Sequence, residues 1–104
     1  MIKELTELQG TSGNERNIRN YMRERMAPLV DRIETDGLGG IFGIREHEDE
    51  TAPRIMVAAH MDEVGFMVSG ITERGLFRVV PLGGWNAYVG SAQPYTLQPA
   101  KGAR

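Results

Sequence analysis

Residues 54–60 read Arg-Ile-Met-Val-Ala-Ala-His, and Met61, Asp62 and Glu63 follow directly. A near-continuous apolar run bounded by polar residues is how a strand buried on both faces reads. Arg54–His60 is therefore expected as an inner strand of an α/β sheet. Side chains alternate along a strand, so His60 and Asp62 would face one side and Met61 the other. In open α/β sheets, ligands gather at the carboxyl ends of strands. Imidazole is a common zinc ligand, and a neighbouring carboxylate fixes its tautomer and raises its basicity. Glu63 adds a third polar group. On spacing alone two readings stay open. One is a metal-binding His60 backed by Asp62. The other is a strand-end histidine bonded to a carbonyl, with Asp62 capping a turn. A zinc site needs three or four protein ligands, and the chain offers one credible ligand in His60. Asp36 would join it only if its strand lay alongside, and its glycine-rich context favours a turn.

On the N-terminal side, Ile2, Leu5 and Leu8 recur at helical spacing, so Ile2–Gln9 reads as a short amphipathic helix. Residues 10–13, Gly-Thr-Ser-Gly, break it. Ser12 and Glu15 match a capping box that opens a second helix. That helix carries Ile18, Tyr21, Met22, Arg25 and Met26 on one stripe, and Pro28 lies at its end. The pattern then changes to a hairpin, Val30–Thr35 and Ile41–Ile44, around the turn Asp36-Gly37-Leu38-Gly39-Gly40. The charged stretch 45–53 reads as a solvated loop, with His47 a surface residue within it.

On the C-terminal side, Val64–Ile71 and Leu76–Val80 form a second expected hairpin around Thr72–Gly75. A glycine-rich bend follows at 81–86, and Tyr95–Gln98 is expected to begin another strand. Two helices and then three strands come first, up to about Glu63, and β segments alone follow. The expected organisation is the first part of an α/β domain over 1–63 and the start of a β-rich one over 64–104.

The 104 residues include 12 basic and 14 acidic side chains, a net charge of −2. That balance gives no electrostatic basis for binding nucleic acid or an anionic membrane. Cysteine is absent, which excludes a disulfide scaffold, a thiolate metal site and a cysteine nucleophile. The absence fits a reducing compartment, and the expected location is cytoplasmic. The N-terminus lacks the apolar core of a secretory signal, and the longest apolar run, Ile55–Ala59, is far too short to cross a bilayer. Ser12 and Ser69 lack a nucleophile elbow, and the Gly37–Gly40 turn lacks the lysine of a phosphate loop. Phe66, Phe77 and Trp85 read as core or interface residues rather than a base-stacking platform.

Several stretches together carry a resemblance: Leu5–Leu8, Thr11-Ser12-Gly13-Asn14-Glu15, Asp36–Gly40, Ala59-His60-Met61-Asp62-Glu63-Val64-Gly65-Phe66-Met67-Val68, and Gly83-Gly84-Trp85-Asn86. With them the chain closely resembles the N-terminal part of the glutamyl-aminopeptidase and tetrahedral-aminopeptidase metallopeptidases, family forty-two. Gly40 stands where many members have asparagine. The resemblance implies a zinc-peptidase α/β domain interrupted after the His60 strand by a PDZ-like β-barrel used in subunit contacts. It implies that His60 binds one of two divalent metal ions, zinc or cobalt, and that Asp62 is a catalytic group tuning that histidine. Glu63 has no precedent there as a base. The other ligands and the general base match nothing in this chain, so the resemblance marks it as a fragment, inactive alone, of a peptide-hydrolysing enzyme. The parent would self-associate into a dimer-based dodecamer. Two rival readings are a non-catalytic assembly module and an endoglucanase-type glycoside hydrolase. The latter needs two carboxylates flanking a sugar, and no second convincing acid accompanies Asp62.

Overall fold

A computed structural model of the chain describes residues 2–86 and 88–99. It opens with α1 (Ile2–Glu7) and α2 (Arg16–Met26), which passes into a 3₁₀ turn at Ala27–Leu29. Pro28 sits in the first positions of that turn, where its missing N–H costs nothing. The stripe of α2 brings Ile18 inward. It is the one buried hydrophobic side chain among the described residues, at 6% exposure. Its partner is the backbone of Gly10, where an added Cβ would lie 2.2 Å from Ile18 Cδ1. Glycine at 10 is thus a packing requirement. Polar contacts tie α1 to α2. The Glu4 carboxylate accepts hydrogen bonds from the Tyr21 hydroxyl and, at 3.1 Å, from the Arg25 guanidinium. Arg25 also lies 5.3 Å from the centre of the Tyr21 ring.

Two antiparallel hairpins follow. Strands β1 (Arg32–Thr35) and β2 (Ile41–Ile44) pair with Arg32 opposite Ile44 and Thr35 opposite Ile41. Asp36 makes the turn. Its Oδ1 accepts the Leu38 N–H at 3.0 Å and the Gly40 N–H at 2.6 Å. Gly39 adopts φ +92°, a region that costs other residues free energy. The Gly39 carbonyl accepts a 2.9 Å bond from Arg19, which locks this turn to α2. Strands β3 (Gly65–Ile71) and β4 (Phe77–Leu82) pair from Gly65–Leu82 to Ile71–Phe77, with a bulge between Val68 and Gly70. Phe66 stacks on Trp85 at 4.6 Å, and Tyr95 meets Phe66 edge-on at 5.3 Å. The Trp85 indole donates to the Gly65 carbonyl at 2.7 Å. Phe66 and Trp85 thus pack together, and Phe77 is half exposed.

Three expectations are corrected. The run Arg54–His60 is not a strand: no described segment pairs with it. Ile55, Met56 and Val57 are 85%, 81% and 94% exposed. Apolar character suits a residue to a buried strand, but strand structure needs a lateral partner for its N–H and C=O groups, and none of the described residues provides one. The same reason applies to Tyr95–Gln98, which is irregular. The capping box does not form. Glu15 occupies the cap position of α2 without a side-chain capping bond, and its carboxylate accepts the Gly13 N–H instead. Gly13 lies in a tight turn at φ +85°, closed by Asn14 N–H on the Thr11 carbonyl at 2.8 Å. That turn takes the acceptor a capping box would use.

With a radius of gyration of 18.1 Å, the chain is far more extended than the roughly 13 Å of a compact domain of this length. Packing therefore concentrates at Ile18. Ile18→Ala should destabilise the α1–α2 region by roughly 2–5 kcal/mol and Ile18→Val by roughly 1 kcal/mol, read as graded shifts of the urea midpoint at the helical circular-dichroism band. Equal midpoints for both variants and the parent chain would contradict the packing described.

A second expectation concerns pH. The Tyr21 hydrogen bond, with Arg25 contributing, lowers the Glu4 carboxyl from 4.5 to about 2. A depressed folded-state value means that this tie is fully present above about pH 4.5 and is lost as pH falls towards 2. Carboxyl NMR titration of Glu4 should show a midpoint well below that of an unstructured glutamate. Glu4→Gln should remove the acid-induced change at the Tyr21 ring signals.

Candidate functional site

The polar residues that follow the apolar run converge on a local arrangement. His60 Nδ1 lies 3.0 Å from the Asp62 carbonyl oxygen and 3.2 Å from Asp62 Oδ1. Both neighbours are acceptors, so Nδ1 carries the hydrogen and the lone pair resides on Nε2. The His60 side chain is 86% exposed and that of Asp62 39% exposed. The imidazole thus stands in solvent with one nitrogen held and the other available as a donor atom to a metal.

Around it lies an open recess lined by Glu15, Leu38, Gly39, Gly40, Ala59, His60, Met61 and Asp62. Three stretches far apart in sequence make its wall: the start of α2, the β1–β2 turn, and the segment 59–62. Sequence reasoning brought Asp36 forward as a possible neighbour. Its turn does border the recess, but the Asp36 carboxylate is committed to the N–H groups of Leu38 and Gly40. Met61 also lines the recess beside His60 and Asp62, because the segment lacks the alternation of a strand. His47 lies elsewhere, in the exposed loop, where its Nδ1 accepts the Asp49 N–H at 3.1 Å.

Glu63 is the member whose place periodicity does not reveal. Its N–H donates to the Gly10 carbonyl at 2.9 Å. Its Oε1 accepts the Gly10 N–H at 3.1 Å. Thr11 and Glu63 form a parallel bridge. The residue that ends the polar trio thereby holds the loop between α1 and α2. A partner 53 residues away leaves no local signal; only the glycine at 10, needed beneath Ile18, hints that something approaches closely there.

Among the described residues no group of three or more histidine, cysteine or carboxylate side chains is arranged to hold a metal. As a donor set, a neutral imidazole with its Nδ1–H on a carboxylate fits one ligand of a zinc-type centre. Among the described residues, His60 is the side chain whose free nitrogen fits such a place.

The chain is similar to several known proteins. The glutamyl aminopeptidase of Lactococcus lactis subsp. cremoris (strain MG1363) is 60% identical over 96 residues, covering 92% of this chain and 27% of that protein. A crystal structure of a TET aminopeptidase from a marine sediment archaeon, Thaumarchaeota archaeon SCGC AB-539-E09, superposes with a TM-score of 0.79 at 41% identity, over 85% of this chain and 24% of the other. The crystal structure of an endoglucanase from Thermotoga maritima superposes with a TM-score of 0.75 at 38% identity, over 82% and 27%. The chain thus spans about a quarter of the length of the relatives it matches. Its fold is α/β with small antiparallel sheets, like the TET aminopeptidases. A family described as AMPT matches residues 1–22. The M42 glutamyl aminopeptidase family matches residues 39–104, more than half of the chain and the whole of the His60–Glu63 segment, and the protein belongs to that family.

Proposed function

We propose that this chain contributes one metal ligand, His60, and its orienting carboxylate, Asp62, to a two-metal aminopeptidase that removes N-terminal residues from peptides. The observation that carries the reading is the His60–Asp62 contact within the matched family segment: it fixes the Nδ1–H tautomer and leaves Nε2 free to bind a cation. Two divalent ions, zinc or cobalt, would supply Lewis acidity and a nucleophilic hydroxide at such a centre. Asp62 would hold the imidazole plane and raise its basicity. Preference for acidic N-terminal residues follows the glutamyl aminopeptidase relative. Residues 1–63 would belong to the catalytic domain. Residues 64–104 would begin a PDZ-like insert that makes subunit contacts in a cytoplasmic homo-oligomer.

Hydrolysis at a two-metal site also needs a bridging ligand and a general base within reach of the attacking water. The described residues offer neither, so the 104-residue chain is expected to show no turnover on aminoacyl anilides and no tight zinc site by calorimetry. The positive test is a chimera in which residues 1–104 replace the matching quarter of the Lactococcus relative. The chimera should hydrolyse glutamyl anilide in a metal-dependent way. His60→Ala should lower its metal content and abolish turnover. Asp62→Ala should lower turnover by roughly 10- to 100-fold while the fold persists. Full activity and full metal content in the His60→Ala chimera would refute the assignment.

The assembly-module reading rests on a separate observation. Large apolar side chains lie exposed along 55–57 and on the second hairpin, among them Met67, Ile71, Phe77 and Val79. Exposed apolar surface of this kind drives association. The chain should therefore increase in apparent mass with concentration in light scattering. A concentration-independent monomer would count against any assembly role for these segments.

A further inference from the structure

The contacts of Glu63 lead beyond that reading and rest on it. Glu63 follows directly after the His60–Asp62 pair, yet its carboxylate turns away to the loop at Gly10. Backbone and side chain grip the same residue from both sides: Glu63 N–H to Gly10 carbonyl at 2.9 Å, and Gly10 N–H to Glu63 Oε1 at 3.1 Å. A side-chain oxygen here takes the place of the next main-chain acceptor in a parallel ladder that runs for only one bridge, Thr11 to Glu63. The loop so held continues through the Gly13 turn to Glu15, whose carboxylate is fixed on the Gly13 N–H. Glu15 and the His60–Asp62 pair then line the same recess.

The segment 54–60 makes no strand pairing, so no sheet fixes the direction in which His60 leaves the backbone. The Glu63 clamp is the tertiary hydrogen-bonded anchor next to that pair. Gly10 cannot shift to accommodate its loss, because Ile18 packs against its α-carbon. Gly65 likewise sits against Thr11, where an added Cβ would lie 2.2 Å from Thr11 Cγ2, so the chain is held on both sides of Glu63 and Val64.

We propose that Glu63 is a positioning residue: its carboxylate, bonded to the Gly10 amide, sets the placement of His60 and Asp62 against the Glu15 side of the recess. It acts as a hydrogen-bond acceptor of fixed reach. What places the loop is the reach of that oxygen, which a glutamine amide oxygen shares.

The test is made on the 104-residue chain by NMR and needs neither metal nor turnover. The His60 ring nitrogens report the Nδ1–H tautomer, and amide exchange at Gly10 reports the clamp. Glu63→Gln keeps the acceptor oxygen and should leave both signals as in the parent chain. Glu63→Ala removes it. Exchange at Gly10 should then rise by roughly tenfold or more, and the His60 nitrogens should move towards the tautomer mixture of a free imidazole, with the α2 amides unchanged. Glu63→Asp shortens the side chain by one methylene, retains the charge, and should reproduce the alanine result. It decides the matter if Glu63→Ala fails to fold. An unchanged His60 spectrum in both the alanine and aspartate variants would overturn the proposal. So would loss of the His60 signature in Glu63→Gln, which would mean that charge and not acceptor geometry is used. The aminopeptidase reading can fail in the chimera while the His60 signature still follows Glu63, and the reverse is equally observable, so the two failures are distinguishable.

Discussion

The contact between Gly10 and Glu63 is the constraint on which the rest of the arrangement depends. It joins the first quarter of the chain to the residues after the apolar run, through two hydrogen bonds that share one glycine. A single net hydrogen bond contributes only about 1 kcal/mol, so the pair is modest in energy. Its weight comes from position. Without it, the helical layer and the His60–Asp62 segment are connected mainly through the first hairpin and a long exposed loop. With it, Thr11 bridges to Glu63, Gly65 lies against Thr11, and the second hairpin starts from a defined point.

Glycine makes that junction feasible. Gly10 admits Ile18 against its backbone, which a Cβ would prevent, while its N–H and C=O bond Glu63. Gly39 supplies the positive φ that lets the Asp36 turn present its carbonyl to Arg19. In both places a backbone atom, not a side chain, is the contact. The recess is therefore framed by loops whose shape is set by hydrogen bonds to the main chain, while the imidazole stands exposed at its edge. In the proposed metal site such a construction would present one donor atom in a fixed tautomer.

The chain also shows how burial and pairing are separate requirements. Ile55, Met56 and Val57 have the composition of an inner strand and yet lie exposed, because no described segment offers them lateral hydrogen bonds. The second hairpin has its own pairing and an aromatic anchor in Phe66, Trp85 and Tyr95, yet Met67 on one face and Val79 on the other both remain exposed. The apolar surface exceeds what the described residues cover.

Much of the local structure was legible in the residues themselves. The stripe of α2, the break at Gly10–Gly13, the Asp36–Gly40 turn and both hairpins came from periodicity and turn chemistry, which act over a few residues. His60 and Asp62 were expected together from strand alternation; the segment is irregular, and they meet because they are two residues apart. What sequence could not determine depended on distant partners. Ser12 and Glu15 carry a capping-box spacing, but the Gly13 turn claims the Glu15 carboxylate. Arg54–His60 carries a strand composition, but a strand exists only beside another. Glu63 reads as one more acid after a histidine and an aspartate, and its role as the clamp on Gly10 appears only when residues 53 positions apart meet. Residue order was enough to show which segments fold locally and which side chains carry donor atoms. Tertiary structure alone decided where those atoms stand, because hydrogen bonds between distant backbones leave no periodic trace in the order of residues.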